Sequence, residues 1–136
     1  MRSSVAALAL LVAACSPEKP APAKAEAPPE KPPAEYRVRF ETTRGPFVVE
    51  VKREWAPRGA DHFFTLVQGK FYDGAKFFRV IRNFVAQFGV HGDPKTNMLW
   101  GSIAIPDDPV KLSNRKATIC FARLGPNSRR TQVFIN

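Results

Sequence analysis

Cysteine and histidine are scarce in this chain, two of each among 136 residues, and that scarcity removes most metal chemistry at the outset. His62 and His91 do not stand at metal-ligand spacing, so a zinc site would have to recruit the distant Cys120. A disulfide framework needs even pairs at structured spacings, which Cys15 and Cys120 do not supply. No glycine-rich loop cradles a phosphate, no serine stands on a strand-to-helix elbow, and no Cys-His pair has local support. Asp107-Asp108 is an adjacent pair whose side chains should point apart, and it reads as a solvated loop. Long apolar runs are missing too: Val5–Ala14 is too short to cross a bilayer. Acidic residues are outnumbered 12 to 21 by lysine and arginine, for a formal net charge of +9. That balance invites a polyanionic partner. The basic residues nevertheless form no stripe between Arg37 and Arg130 and do not alternate with aromatics, so nucleic acid is not an expected partner.

Proline is abundant, and its placement divides the chain. Seven of the thirteen prolines fall between Ser16 and Glu35, a stretch of Pro, Ala, Glu and Lys with no aromatic or branched aliphatic residue. Such a segment cannot bury enough apolar area to offset its ordering entropy and is expected to be an extended tether. Before it, Arg2 and the apolar run Val5–Ala14 have the layout of a signal peptide. The run ends in Val12-Ala13-Ala14-Cys15, which resembles the bacterial lipobox, where the cysteine is lipidated after cleavage. An ordinary secretory peptide is the alternative. The expected organisation is a signal peptide over 1–14, lipidated Cys15 and tether over 15–35, and a domain over 36–136. The lipid would hold the domain to the bacterial cell envelope, facing the periplasm. Ser16 after the cysteine favours the outer membrane by resemblance to lipoprotein sorting.

From Tyr36 the patterning becomes that of a folded domain. Tyr36–Phe40 alternates apolar and polar residues, Thr43–Pro46 punctuates, and Phe47–Val51 follows, together predicting a hairpin. Pro57 opens a helix whose Ala60, Phe63, Phe64 and Val67 share one face, and Gly69 is placed to end it. Phe71–Gly74 reads as a turn. Lys76–Ile81, Phe84–Phe88 and Thr131–Ile135 read as strands, with Met98–Ile105 and Ala117–Ala122 as further short apolar segments. Cys120, inside the second of these, reads as a small buried hydrophobe. Many short strands with one helix among them predict a mainly β barrel or sandwich with a helical cap.

Three stretches carry a family resemblance. GKFYDGAKFFRVIRNFVAQFG (Gly69–Gly89) resembles the cyclophilin signature, FARLGPNSRRTQVFIN (Phe121–Asn136) resembles that family's second signature, and FETTRGPFVVEV (Phe40–Val51) its opening hairpin. The resemblance as a whole extends over essentially all of Tyr36–Asn136. The resemblance implies a cyclophilin-like closed β-barrel of eight strands with capping helices, and peptidyl-prolyl cis/trans isomerisation with no cofactor and no metal. It also implies that the barrel's last part lies beyond Asn136, so that this domain would be incomplete at its C-terminus, open at an edge and poorly soluble. Carried residue by residue, Arg79 falls on the catalytic arginine. Phe84 and Phe134 fall on walls of a proline pocket, with Val85 where methionine is frequent. Gln87 and Gln132 fall on polar groups lining the groove, and Ala122 and Arg123 on the edge that binds peptide backbone, where asparagine is frequent at the second position. Phe78, Phe88 and the pair Arg129-Arg130 depart from the pattern. That pair is expected to favour acidic residues flanking the target proline.

Elementary chemistry is compatible with these roles. Rotation about an Xaa-Pro amide needs no nucleophile and no proton shuttle, only tighter binding of the twisted form than of the planar one. Arg79, always charged, can donate to the proline nitrogen as its lone pair localises. Gln87 can orient Arg79 or the carbonyl. None of these groups titrates near neutrality, so a flat pH profile is expected. The bland readings stay open: Phe84 and Phe134 as core, and Arg79 turned to solvent. The expected partners are Xaa-Pro segments of folding envelope proteins and, through the lipid, the membrane, with the protein itself a monomer. Two rival readings remain, a non-catalytic module that holds Xaa-Pro peptides and a tethered basic protein that binds anionic polymer.

Overall fold

The computed structural model describes residues 31–136. The signal peptide 1–14, Cys15 and all but the last few residues of the tether lie outside the described residues. Strand β1 (Glu35–Phe40) pairs antiparallel with β2 (Phe47–Lys52), in register from Glu35↔Lys52 to Phe40↔Phe47. Alternation puts Tyr36, Val38 and Phe40 on the same face as Val51, Val49 and Phe47, and this face packs on the core. Phe40 stacks on Phe47 with ring centroids 4.9 Å apart and meets Phe88 edge-on at 5.5 Å, tying the hairpin to the rest of the molecule.

Helix α1 (Pro57–Gln68) begins with proline in its first turn, where the missing N–H costs nothing. Its buried face is Gly59, Ala60, His62, Phe63 and Leu66. The predicted stripe is therefore displaced. Leu66 is wholly buried, whereas Phe64 and Val67 are only half-buried at the margin. Phe64 is there because it meets Tyr36 edge-on at 5.2 Å. Gly69 does end the helix, but at φ −74 it uses no left-handed freedom, and Lys70 takes the positive φ of 55. Space is what position 69 requires, since a Cβ there would lie 2.7 Å from the Trp100 ring. The turn Phe71–Gly74 is also more than a connector: Phe71 is completely buried and Tyr72 nearly so.

Four short strands follow: β3 (Arg79–Ile81), β4 (Val85–Phe88), β5 (Ile119–Phe121) and β6 (Val133–Ile135). They form one antiparallel sheet in the order β3-β4-β6-β5. Of the predicted strand Lys76–Ile81 only the last three residues pair, and Phe84 stays in the turn before β4. The first half of the apolar segment Met98–Ile105 belongs to helix α2 (Pro94–Gly101). Asp93 caps it, accepting from the Lys95 and Thr96 N–H groups, and the Thr96 hydroxyl and N–H hold that carboxyl below its usual range. No helix among the described residues is long and apolar enough to cross a membrane.

The closed eight-stranded barrel is not what the described residues form. They make a two-stranded and a four-stranded sheet, and β3 and β5 keep an unpaired edge. Closure requires every strand to find two partners, and β3, exposed along its whole length, finds one. The core lies between the sheets and α1, built from Val49, Phe63, Leu66, Phe71, Tyr72, Phe88 and Val133.

Candidate functional site

Directly opposed residues of an antiparallel pair project to the same face. Arg79 faces Gln87, Gln87 faces Phe134, and Phe134 faces Cys120, so one row crosses all four strands. Val85 stands two residues from Gln87 on that face, and Gln132 two residues from Phe134. The opposite face carries Phe88, Val133 and Phe121, which enter the core. One side of the sheet thus builds the interior and the other carries the polar row.

The row is wired in one direction. Arg79 donates through a terminal guanidinium nitrogen to Gln87 Oε1 at 3.5 Å, and Gln87 Nε2 donates to Gln132 Oε1 at 2.9 Å. Arginine has only donors, so the Gln87 amide must turn its oxygen to Arg79 and its nitrogen to Gln132. Gln87 is buried, which holds that orientation, while Arg79 is exposed. Val85 is buried and acts as floor. Phe134 is half-buried beside Gln87. Phe84 lies in the turn and is 60% exposed, a rim for the row and not a wall. Ala122 donates its N–H to the Gln132 carbonyl at 2.9 Å, which ties the β5 end to the row. Arg123 points to Asp107 instead, at 3.0 Å. Hollows of about 490 and 230 Å³ exist elsewhere, lined by Lys31, Arg53 and Lys111 in one case and by Phe78, Val90 and His91 in the other. Neither is lined by a residue of the row, which is an open face.

Several residues matter that sequence reasoning read differently. Asp107-Asp108 is not solvated: the Asp108 side chain is 5% exposed and bonds to Arg129 at 3.0 Å. It also accepts from the Arg58 and Gly59 N–H groups at 3.0 and 2.9 Å, capping α1, whose own cap residue Ala56 has no side-chain oxygen. Arg129 and Arg130 are both engaged by partners within the fold. Arg129 turns inward to Asp107 and Asp108, and Arg130 donates to the Gly101 carbonyl at 2.6 Å. Residues twenty apart in sequence give no local signal of such pairing. His62 is 2.7 Å from the Arg130 carbonyl through Nε2, and because a carbonyl only accepts, that nitrogen carries the proton. Burial pushes its imidazole below the usual value. Cys120 is half-buried at the end of the row, 2.8 Å from Asn114 Oδ1, and burial pushes its thiol up. Among the described residues no group of three or more His, Cys, Asp or Glu could hold a metal ion.

The sequence of this domain matches a family already known. The family described as cyclophilin type peptidyl-prolyl cis-trans isomerase/CLD matches residues 37–136. The chain belongs to this cyclophilin family. Among curated relatives, the peptidyl-prolyl cis-trans isomerase of Acinetobacter baylyi is 35% identical over 107 residues, covering 76% of this chain and 55% of the relative. An isomerase of Schizosaccharomyces pombe is 34% identical over 104 residues, 72% of this chain and 65% of the relative. The isomerase CYP65 of Arabidopsis thaliana is 32% identical over 105 residues, 72% of this chain and 17% of that longer relative. The chain thus spans less than two thirds of each of these three cyclophilin relatives.

Proposed function

We propose that the chain is a peptidyl-prolyl cis/trans isomerase that rotates Xaa-Pro bonds in folding envelope proteins, with Arg79 as its catalytic residue. The reading is carried by the row in which Arg79, Gln87 and Phe134 stand on consecutive strands of one face. An amide barrier of about 18–20 kcal/mol comes from C–N double-bond character, and it falls when the twisted form is bound more tightly than the planar one. Twisting localises the lone pair on the proline nitrogen. A guanidinium held at that nitrogen donates most strongly in the twisted state. Gln87, its own amide locked by Gln132, presents the Arg79 fork with a fixed acceptor at the outer limit of hydrogen-bonding distance. Phe134 offers an apolar ring for the pyrrolidine, Phe84 its outer rim, and Ala122 and Arg123 the edge along which substrate backbone lies.

The remaining parts of the reading rest on the sequence. Cys15 is the lipid attachment point, residues 15–35 are the tether, and the domain, a monomer, faces the periplasm from the outer membrane. Arg79→Ala is expected to lower turnover of an Ala-Pro peptide by at least about ten-fold, one tenfold being roughly 1.4 kcal/mol of lost transition-state stabilisation, while the circular dichroism spectrum is retained. Unchanged turnover in the folded variant would remove Arg79 from the mechanism.

A further inference from the structure

We propose that Arg129, clasped between Asp107 and Asp108, is a positioning residue that sets the peptide-binding edge Ala122–Arg123 and the neighbouring Gln132; this rests on the isomerase reading above. Arg129 lies in the loop between β5 and β6, which has Ala122 and Arg123 near its start and Gln132 at its end. A loop arginine is ordinarily solvated, yet this side chain is 11% exposed. Its Nε lies 3.2 Å from Asp107 Oδ1 as a close ion pair without hydrogen-bond geometry, and a terminal nitrogen donates to Asp108 Oδ2 at 3.0 Å. The other terminal nitrogen donates to the Pro106 carbonyl. A buried charge is tolerated only where partners hold it, so this geometry is strongly specified.

The partners are themselves anchored. Asp108 is bonded to the first turn of α1, and the Ile105 N–H donates to the Arg129 carbonyl at 2.9 Å. Asp107 reaches back to the loop, accepting from Arg123 at 3.0 Å and from the Asn127 N–H at 3.1 Å. One carboxylate therefore joins the buried arginine to the arginine of the binding edge. After Arg129 the chain is pinned at each following residue. The Arg130 carbonyl meets His62 at 2.7 Å, the Thr131 carbonyl accepts from the Tyr72 hydroxyl at 3.0 Å, and the Thr131 hydroxyl donates to Gly89 at 3.0 Å. Gln132 comes next, bonded to Gln87. The loop thus transmits the position of α1 to the polar row, and Arg129 is its central fastening.

The full chain carrying Arg129→Met or Arg129→Lys tests this in two measurements, steady-state isomerisation of an Ala-Pro peptide and amide hydrogen exchange. Arg129→Met is expected to raise KM about five-fold with kcat within about two-fold. The Ile105, Ala122 and Asn127 amides should exchange at least about ten-fold faster, while Phe63, Leu66 and Phe88 keep their protection. Arg129→Lys, with the charge but not the fork, should fall between wild type and Arg129→Met. Unchanged KM and exchange in folded Arg129→Met overturn the proposal, as does a uniform rise in exchange that includes the core. If Arg129→Met does not fold, Asp107→Asn decides: faster exchange confined to Ala122 and Asn127 supports the proposal, and unchanged exchange overturns it. Should the wild-type chain not isomerise, the isomerase reading fails on its own, and the exchange comparison still decides the role of Arg129.

Discussion

Replacing Gln87 by leucine separates the contribution of the polar row to chemistry from its contribution to folding. The side chain is 8% exposed and makes one full hydrogen bond, 2.9 Å to Gln132, and one marginal bond, 3.5 Å from Arg79. A net bond inside a protein contributes about 1 kcal/mol, and the marginal one much less. Leucine has a similar volume and would sit beside Val85 and Phe134, so its apolar burial offsets part of that loss. Stability should change by no more than about 1 kcal/mol. Activity should suffer more, because the Arg79 fork loses the acceptor that directs it. A loss of about 1–2 kcal/mol of transition-state stabilisation corresponds to roughly a 5- to 30-fold drop in kcat/KM. The assay is isomerisation of an Ala-Pro peptide alongside thermal melting of the same preparation. A folded Gln87→Leu variant with wild-type kcat/KM would refute the claim that Gln87 directs Arg79. A loss of activity that tracks the unfolded fraction would assign the residue to folding alone.

Other expectations address the scaffold. Phe71→Ala removes a fully buried ring and should cost about 3–5 kcal/mol in a denaturant melt, an unchanged midpoint being the contrary result. Gly89 has φ +106, and a Cβ there would meet the Thr131 carbonyl oxygen at 2.4 Å. Gly89→Ala should therefore destabilise by more than about 1 kcal/mol and weaken the Thr131 contact that precedes Gln132; a variant as stable as wild type would contradict this. Burial lowers the His62 imidazole below 6.5, so the folded chain keeps it neutral while the unfolded chain takes up a proton near that pH. Stability should be full above pH 6.5 and decline as pH falls through 6.5 towards the folded value. The melting temperature measured between pH 8 and 5 should show this slope, and His62→Gln should flatten it. Turnover corrected for folded fraction should stay flat, since rotation about the Xaa-Pro bond needs no proton transfer; a bell-shaped profile would point to a titrating group in the mechanism.

Local order was readable because it is written in short-range periods. The Glu35–Lys52 hairpin follows from alternation around a turn, and α1 from apolar residues three and four apart after Pro57. The two signature segments named Arg79, Gln87, Gln132 and Phe134 without any knowledge of pairing. What no local pattern carries is register. Alternation says that Arg79 and Val80 point to opposite faces, but only the pairing of Arg79 with Gln87, and of Gln87 with Phe134, puts those three on the same face. The same reason explains the misreadings. Leu66 displaced Phe64 from the buried stripe because a Tyr36 ring waits at the margin of α1. Asp108 became a helix cap and Arg129 a buried clasp because a fold brings residue 108 against residue 58. Periodicity along the chain determined which segments form elements, and the resemblance of the signature segments pointed to the residues that could do this chemistry. The tertiary structure alone decided which of them meet, since charges and amides far apart in sequence are paired by the path of the backbone and by the cost of burying them unpartnered.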